Sequence, residues 1–196
     1  PSTPRVLILS GIGTRVNPYL GLLQDGLASA GAEVRVASSL VQCDLVPAAG
    51  GPDVIHVHWL ARYDPPQSGL GPRPDGGIRR QLWRIIARVW NGSGVYQWRR
   101  FLRLRRLFRQ LHAFQKAGGR LAYTVHNLDA HDTVGWAEQW GARRMLSQSD
   151  VLHLHDRSTA EAIVARTERR SGIALVPHGH YLTAYPNTLT RQQARM

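Results

Sequence analysis

The chain has 196 residues, one cysteine and a formal net charge of +12, and 43% of its residues are apolar. Such a length and composition suit one globular domain with a real core. The lone Cys43 excludes an internal disulfide framework, no run is apolar for long enough to span a bilayer, and the direct entry from Pro1-Ser-Thr-Pro4 into strand-like sequence predicts a leaderless chain on the cytosolic side.

Arg5-Val-Leu-Ile-Leu-Ser10 is a short apolar run that predicts a buried parallel strand. The loop Gly11-Ile-Gly-Thr-Arg-Val16 leads to Asn17 as an N-cap and Pro18 at the first helical position. The helix from Tyr19 to Ala30 sets Leu20, Leu23 and Leu27 on one face and stops at Gly31. Glu33–Ala37 and Asp53–Trp59 are the next strands. Residues 61–78 form a Pro/Gly-rich loop. Two basic amphipathic helices follow, over 79–90 and 96–117. Strand Leu121–Val125, helix 135–148, strand Val151–His155, a helix opened by the capping box Ser158-Thr-Ala-Glu161, and strand Ile173–Val176 complete the alternation. This order predicts an α/β fold with a Rossmann-like, doubly wound parallel sheet carrying a basic helical insertion, over residues 1–182. Residues 183–196 have no core pattern and are expected to be a tail or linker.

The charge is unevenly placed. No acidic residue lies between Asp75 and Asp129, an interval with eleven arginines and Lys116. Such a field attracts polyanions or anionic lipid. Trp98, Phe101, Leu104, Phe108 and Leu111 recur at helical spacing, with Arg99, Arg103, Arg106 and Arg109 largely off that stripe. Two explanations stand: a helix packed on the sheet, or an interfacial helix with its stripe in lipid and its arginines on phosphates. No nucleic-acid-binding motif is present, so nucleic acid is not expected as a partner.

Three His-x-His pairs occur, His56/His58, His153/His155 and His178/His180. On a strand, residues two apart share a face. Imidazoles at strand ends can bind zinc, which allows a metal-dependent hydrolase, but the carboxylates of a hydrolytic metal site are sparse. The glycine loop offers backbone N–H groups to an anion. It is not a dinucleotide fingerprint: Val16 stands where a third glycine belongs, and Ser38 and Ser39 follow the second strand in place of an acid.

Together, Arg5-Val-Leu-Ile-Leu-Ser-Gly-Ile-Gly13, Asn17-Pro-Tyr-Leu20, Asp53-Val-Ile-His-Val-His-Trp59, Thr124-Val-His-Asn-Leu128, Ser149-Asp-Val-Leu-His-Leu-His155 and Val176-Pro-His-Gly-His-Tyr181 resemble the N-terminal domain of retaining GT-B glycosyltransferases of family 4. The resemblance spans nearly the whole chain. It implies one half of a GT-B fold, taking a nucleotide-sugar as substrate with no cofactor and no obligatory metal. It implies a lipid-linked or glycan acceptor, and the acid-free interval with its stripe predicts an enzyme peripheral on an anionic membrane surface. It further implies that His126 contacts the transferred sugar, that Gly11 and Gly13 approach the donor diphosphate, and that His178 and His180 face the cleft. Trp98, Arg99, Phe101, Arg103 and Arg106 are the expected membrane and acceptor contacts. The family's Glu-x7-Glu signature and diphosphate-binding basic pair do not occur in these residues, so the C-terminal donor domain is expected to be missing and the chain alone inactive. The alternatives are a non-catalytic binding domain of the same fold and the metal-dependent hydrolase.

Overall fold

The computed structural model describes residues 2–10, 18–38, 40, 45–46, 50–60, 76–126, 135–179 and 193. Six strands, β1 (Arg5–Ser10), β2 (Glu33–Ala37), β3 (Val54–His58), β4 (Arg120–Val125), β5 (Val151–Leu154) and β6 (Ile173–Leu175), form one sheet in the order β2-β1-β3-β4-β5-β6. Every pairing is parallel. Among the described residues, five α-helices accompany it: α1 (Pro18–Ser29), α2 (Gly77–Gly92), α3 (Gly94–Lys116), α4 (Trp136–Gln148) and α5 (Arg157–Thr167). The fold is a Rossmann-like, doubly wound α/β fold, as the alternation in the sequence implies.

The two-residue period of the strands puts apolar side chains on both faces of the sheet. Val6 and Ile8 of β1 pack with Leu20, Leu23 and Leu27 of α1. Leu7 and Leu9 point the other way, with Ile55, Val57 and Leu121, onto Leu104, Leu107, Leu111 and Phe114 of α3. Gly31 ends α1 with φ 90°, and Gly118 follows α3 with φ 93°, conformations that L side chains rarely adopt.

The stripe on α3 is divided between the sheet and the solvent. Leu104, Phe108 and Leu111 are buried against the sheet. Phe101 stacks near Trp136 and Trp140, with ring centroids 5.4 and 4.8 Å away, and Trp98 joins the edge of that cluster. Burying Leu104, Phe108 and Leu111 removes far more apolar area from water than a surface position would, while Trp98 stays 55% exposed. Arg100, at 3% exposure, reaches Glu138 of α4 at 3.2 Å, an ion pair that ties the two helices together. Ser93 caps α3 by accepting from the Tyr96 amide.

The helix predicted to open at Ser158 opens one turn-edge earlier. Asp156 is its N-cap, accepting from the Thr159 amide at 2.7 Å and from the Thr159 hydroxyl at 2.7 Å. The Ser158 hydroxyl, together with these two Thr159 donors, holds the Asp156 carboxyl down at about 2. A carboxylate on an N-terminal amide also meets the helix dipole favourably, which a hydroxyl cannot match. The expected cap Asn17 and the tail, residue 193 aside, lie outside the described residues.

Candidate functional site

The site follows from register. Ser10, His58, Thr124 and His153 are lateral neighbours across β1, β3, β4 and β5, on the face that carries α1. Because alternate residues share a face, His56 lies one step deeper than His58, and His126 and His155 continue the rows beyond the carboxyl ends. The strand order reverses between β1 and β3, so this is also the topological switch point, where open α/β sheets hold their ligands.

The deep layer is a short hydrogen-bonded chain. The Thr124 hydroxyl lies 2.6 Å from His56 Nε2 and 3.3 Å from His153 Nδ1. One hydroxyl has one proton, so it donates to one ring and accepts from the other. The outer layer is a cage of rings. His58 Nε2 and His126 Nε2 are 2.8 Å apart, with the rings nearly perpendicular at 87°. Tyr19, in the first turn of α1, stacks on His58 at 4.9 Å. Trp59 lies parallel to His126 at 4.8 Å. His155 and His178 close the far side, 4.8 Å apart. The His155 Nδ1–H donates to the Val176 carbonyl, and the His178 Nδ1–H to the Gly179 carbonyl.

Trp59 has φ 58°, in the left-handed region that bulky residues rarely enter. The strain turns the chain sharply after His58 and lays the indole against His126. Strained residues of this kind cluster at binding and catalytic sites.

Burial suppresses the charge of four imidazoles of the crevice. Burial pushes His58 down to about 2, with further lowering from His126 and the other imidazoles around it. Burial likewise pushes His56 to about 3 and His126 to about 4, and lowers His153. Near neutral pH these rings are uncharged hydrogen-bonding groups. The 2.8 Å contact between His58 and His126 holds one proton. Were His126 the donor, His58 would carry its own proton on Nδ1, a buried atom with no partner. With His58 as donor, Nδ1 keeps only a lone pair, the less costly orphan. His126 then carries its proton on Nδ1. Buried Nε2 atoms of His153 and His155 also have no partner. The crevice thus has unspent hydrogen-bonding capacity between aromatic faces.

Of the residues expected at the site, His126 and His178 meet in the crevice, on either side of His155. Gly11, Gly13 and His180 lie outside the described residues. Arg99, Arg103, Arg106 and Trp98 are exposed on α3, which packs on the opposite face of the sheet, so they are not part of the crevice. Tyr19 and Trp59 were not singled out by the sequence. The signal for Trp59 was its position directly after a His-x-His strand; nothing local marks Tyr19. Among the described residues, no group of three or more His, Cys, Asp and Glu side chains is arranged to hold a metal ion, and no helix is long and apolar enough to cross a membrane. No protein-family model, curated protein or solved structure matches the chain.

Proposed function

We propose that this chain forms the acceptor-side half of a retaining glycosyltransferase, with the crevice around His126 receiving the sugar end of a nucleotide-sugar donor. The observation that carries the reading is the neutral His58–His126 pair between Tyr19 and Trp59 at the switch point. Sugar rings present hydroxyls at the edge and C–H groups on the faces. Neutral imidazoles satisfy the first and aromatic rings cover the second. The order of sequence motifs supports the same family.

In this reading His126 donates its Nδ1 proton to a hydroxyl of the sugar, and His58 fixes the tautomer that makes the donation available. Glycosyl transfer develops positive charge at the anomeric carbon and negative charge on the departing diphosphate. A protonated histidine here would oppose the first, and burial prevents it. The diphosphate needs cationic clamps, which belong to a second domain. The acceptor is a glycan or a lipid-linked oligosaccharide at a membrane face.

Ring-proton NMR of this chain, titrated with a panel of nucleotide sugars and simple glycosides, tests the reading. His126 and His155 resonances should shift for at least one sugar, and His126→Ala should abolish the shift. A crevice silent to every sugar would sink the proposal. A donor-consumption assay is expected to give no appreciable turnover by the chain alone, and robust turnover would overturn the two-domain reading. Where a donor domain is present, His126→Ala should slow transfer about 100-fold, the usual loss for one preorganised polar contact.

A further inference from the structure

We propose that the outward face of α2 is the protein's docking surface for an anionic lipid bilayer, with the helix lying flat in the headgroup layer. This gives the membrane-associated acceptor of the reading above its place of contact. It rests on that reading only for its purpose, since lipid binding and sugar binding are measured separately.

Ile78, Leu82, Ile85, Ile86 and Val89 fall at positions i, i+4, i+7, i+8 and i+11, a single face of a helix. All five are between 54% and 75% exposed. Five large aliphatic side chains in one row on a surface helix are far outside the scattered apolar residues of an ordinary protein surface. On α3, Val95, Trp98 and Leu102 are exposed as well.

The occupant is identified by charge. Arg79 and Arg80 are exposed on α2, and Arg99, Arg105, Arg106 and Arg109 on α3. No acidic residue lies between Asp75 and Asp129 to neutralise them. A second copy would bring the same cationic helices and a net charge of +12 against its twin, and like charges on facing surfaces repel. A bilayer bearing anionic headgroups supplies what both parts of the surface lack: acyl chains for the aliphatic row and phosphates for the arginines. The 16 residues of α2, about 24 Å long and interrupted by arginines, suit a helix that lies in the interface rather than one that spans it.

Co-sedimentation of the whole chain with vesicles of phosphatidylcholine alone, and of phosphatidylcholine mixed with phosphatidylglycerol, tests this. Binding should be at least about ten-fold stronger to the anionic vesicles and should weaken as salt rises. Replacing Leu82→Ser, Ile85→Ser and Ile86→Ser together should reduce it by at least about ten-fold. Each of Arg79→Gln and Arg80→Gln should cost about five-fold. The thermal midpoint of the triple serine variant should match that of the parent, because these side chains support no core. Sugar-induced shifts at His126 should be unaffected. The proposal is overturned if anionic vesicles are ignored at low ionic strength, or if the triple serine variant binds like the parent. It is also overturned if the parent dimerises and the triple serine variant does not, which would make a second copy the occupant.

Discussion

Two regions gather basic side chains and treat them in opposite ways. Around the carboxyl ends of β3, β4 and β5, the imidazoles of His56, His58, His126 and His153 are packed together with their charge suppressed by burial. On α2 and α3, Arg79, Arg80, Arg99, Arg105, Arg106 and Arg109 are exposed, while Arg100 is buried against Glu138. Histidine can shed its proton and so tolerates desolvation; arginine cannot, and is either exposed or paired. The comparison separates a ring-lined recess, where burial suppresses the charge of His56, His58, His126 and His153, from an exposed cationic surface, and net charge describes only the second.

Acid should break the comparison most visibly. In the unfolded chain each histidine takes a proton below about pH 6.5, whereas His56 and His58 in the native state refuse one until about 3 and 2. The unfolded state binds more protons in that window, so stability is complete above pH 6.5 and falls as pH drops through it. Two such groups cost about 4–5 kcal/mol by about pH 4.5, comparable to the whole margin of a small domain. Denaturant titrations across pH 7 to 4.5, at roughly half-unit steps, should show this slope. The variant His56→Asn should lose about one proton of it. A flat profile would mean the crevice is charged after all.

Next in size is the contrast between the two helices. Leu111→Ala on α3 removes a fully buried side chain and should cost about 3–4 kcal/mol in denaturant unfolding. Ile85→Ala on α2, at 61% exposure, should change stability by about 0.5 kcal/mol or less. Equal effects would show that α2 is covered within the folded chain. Glu138→Gln should cost about 2–3 kcal/mol by leaving the Arg100 guanidinium buried without its counter-charge. Adding Arg100→Met should restore most of that loss, since the apolar stem keeps its packing. The smallest effect belongs to the surface charges: Arg99→Gln should alter the unfolding midpoint by about 0.5 kcal/mol or less, and moderate salt should raise stability by under about 1 kcal/mol as mutual repulsion is screened.

The sequence by itself determined the alternation of strands and helices, because apolar runs, two-residue and helical periods, and glycine stops are local signals. It determined the pairing of His56 with His58 and of His153 with His155 on one face, since that follows from the strand period alone. It also located the acid-free interval on two helices. Tertiary structure decided the rest. The amphipathic patterns of α2 and α3 each specify an apolar face, but a pattern does not state what covers it. Packing gave the sheet to α3 and left the row from Ile78 to Val89 in solvent. Tyr19, far in sequence from His58, reaches it only because α1 starts beyond the carboxyl end of β1, which lies next to β3 in the sheet. The neutrality of the imidazoles is likewise a property of the assembled crevice, because desolvation depends on neighbours contributed by separate strands, none of which is visible from any one of them.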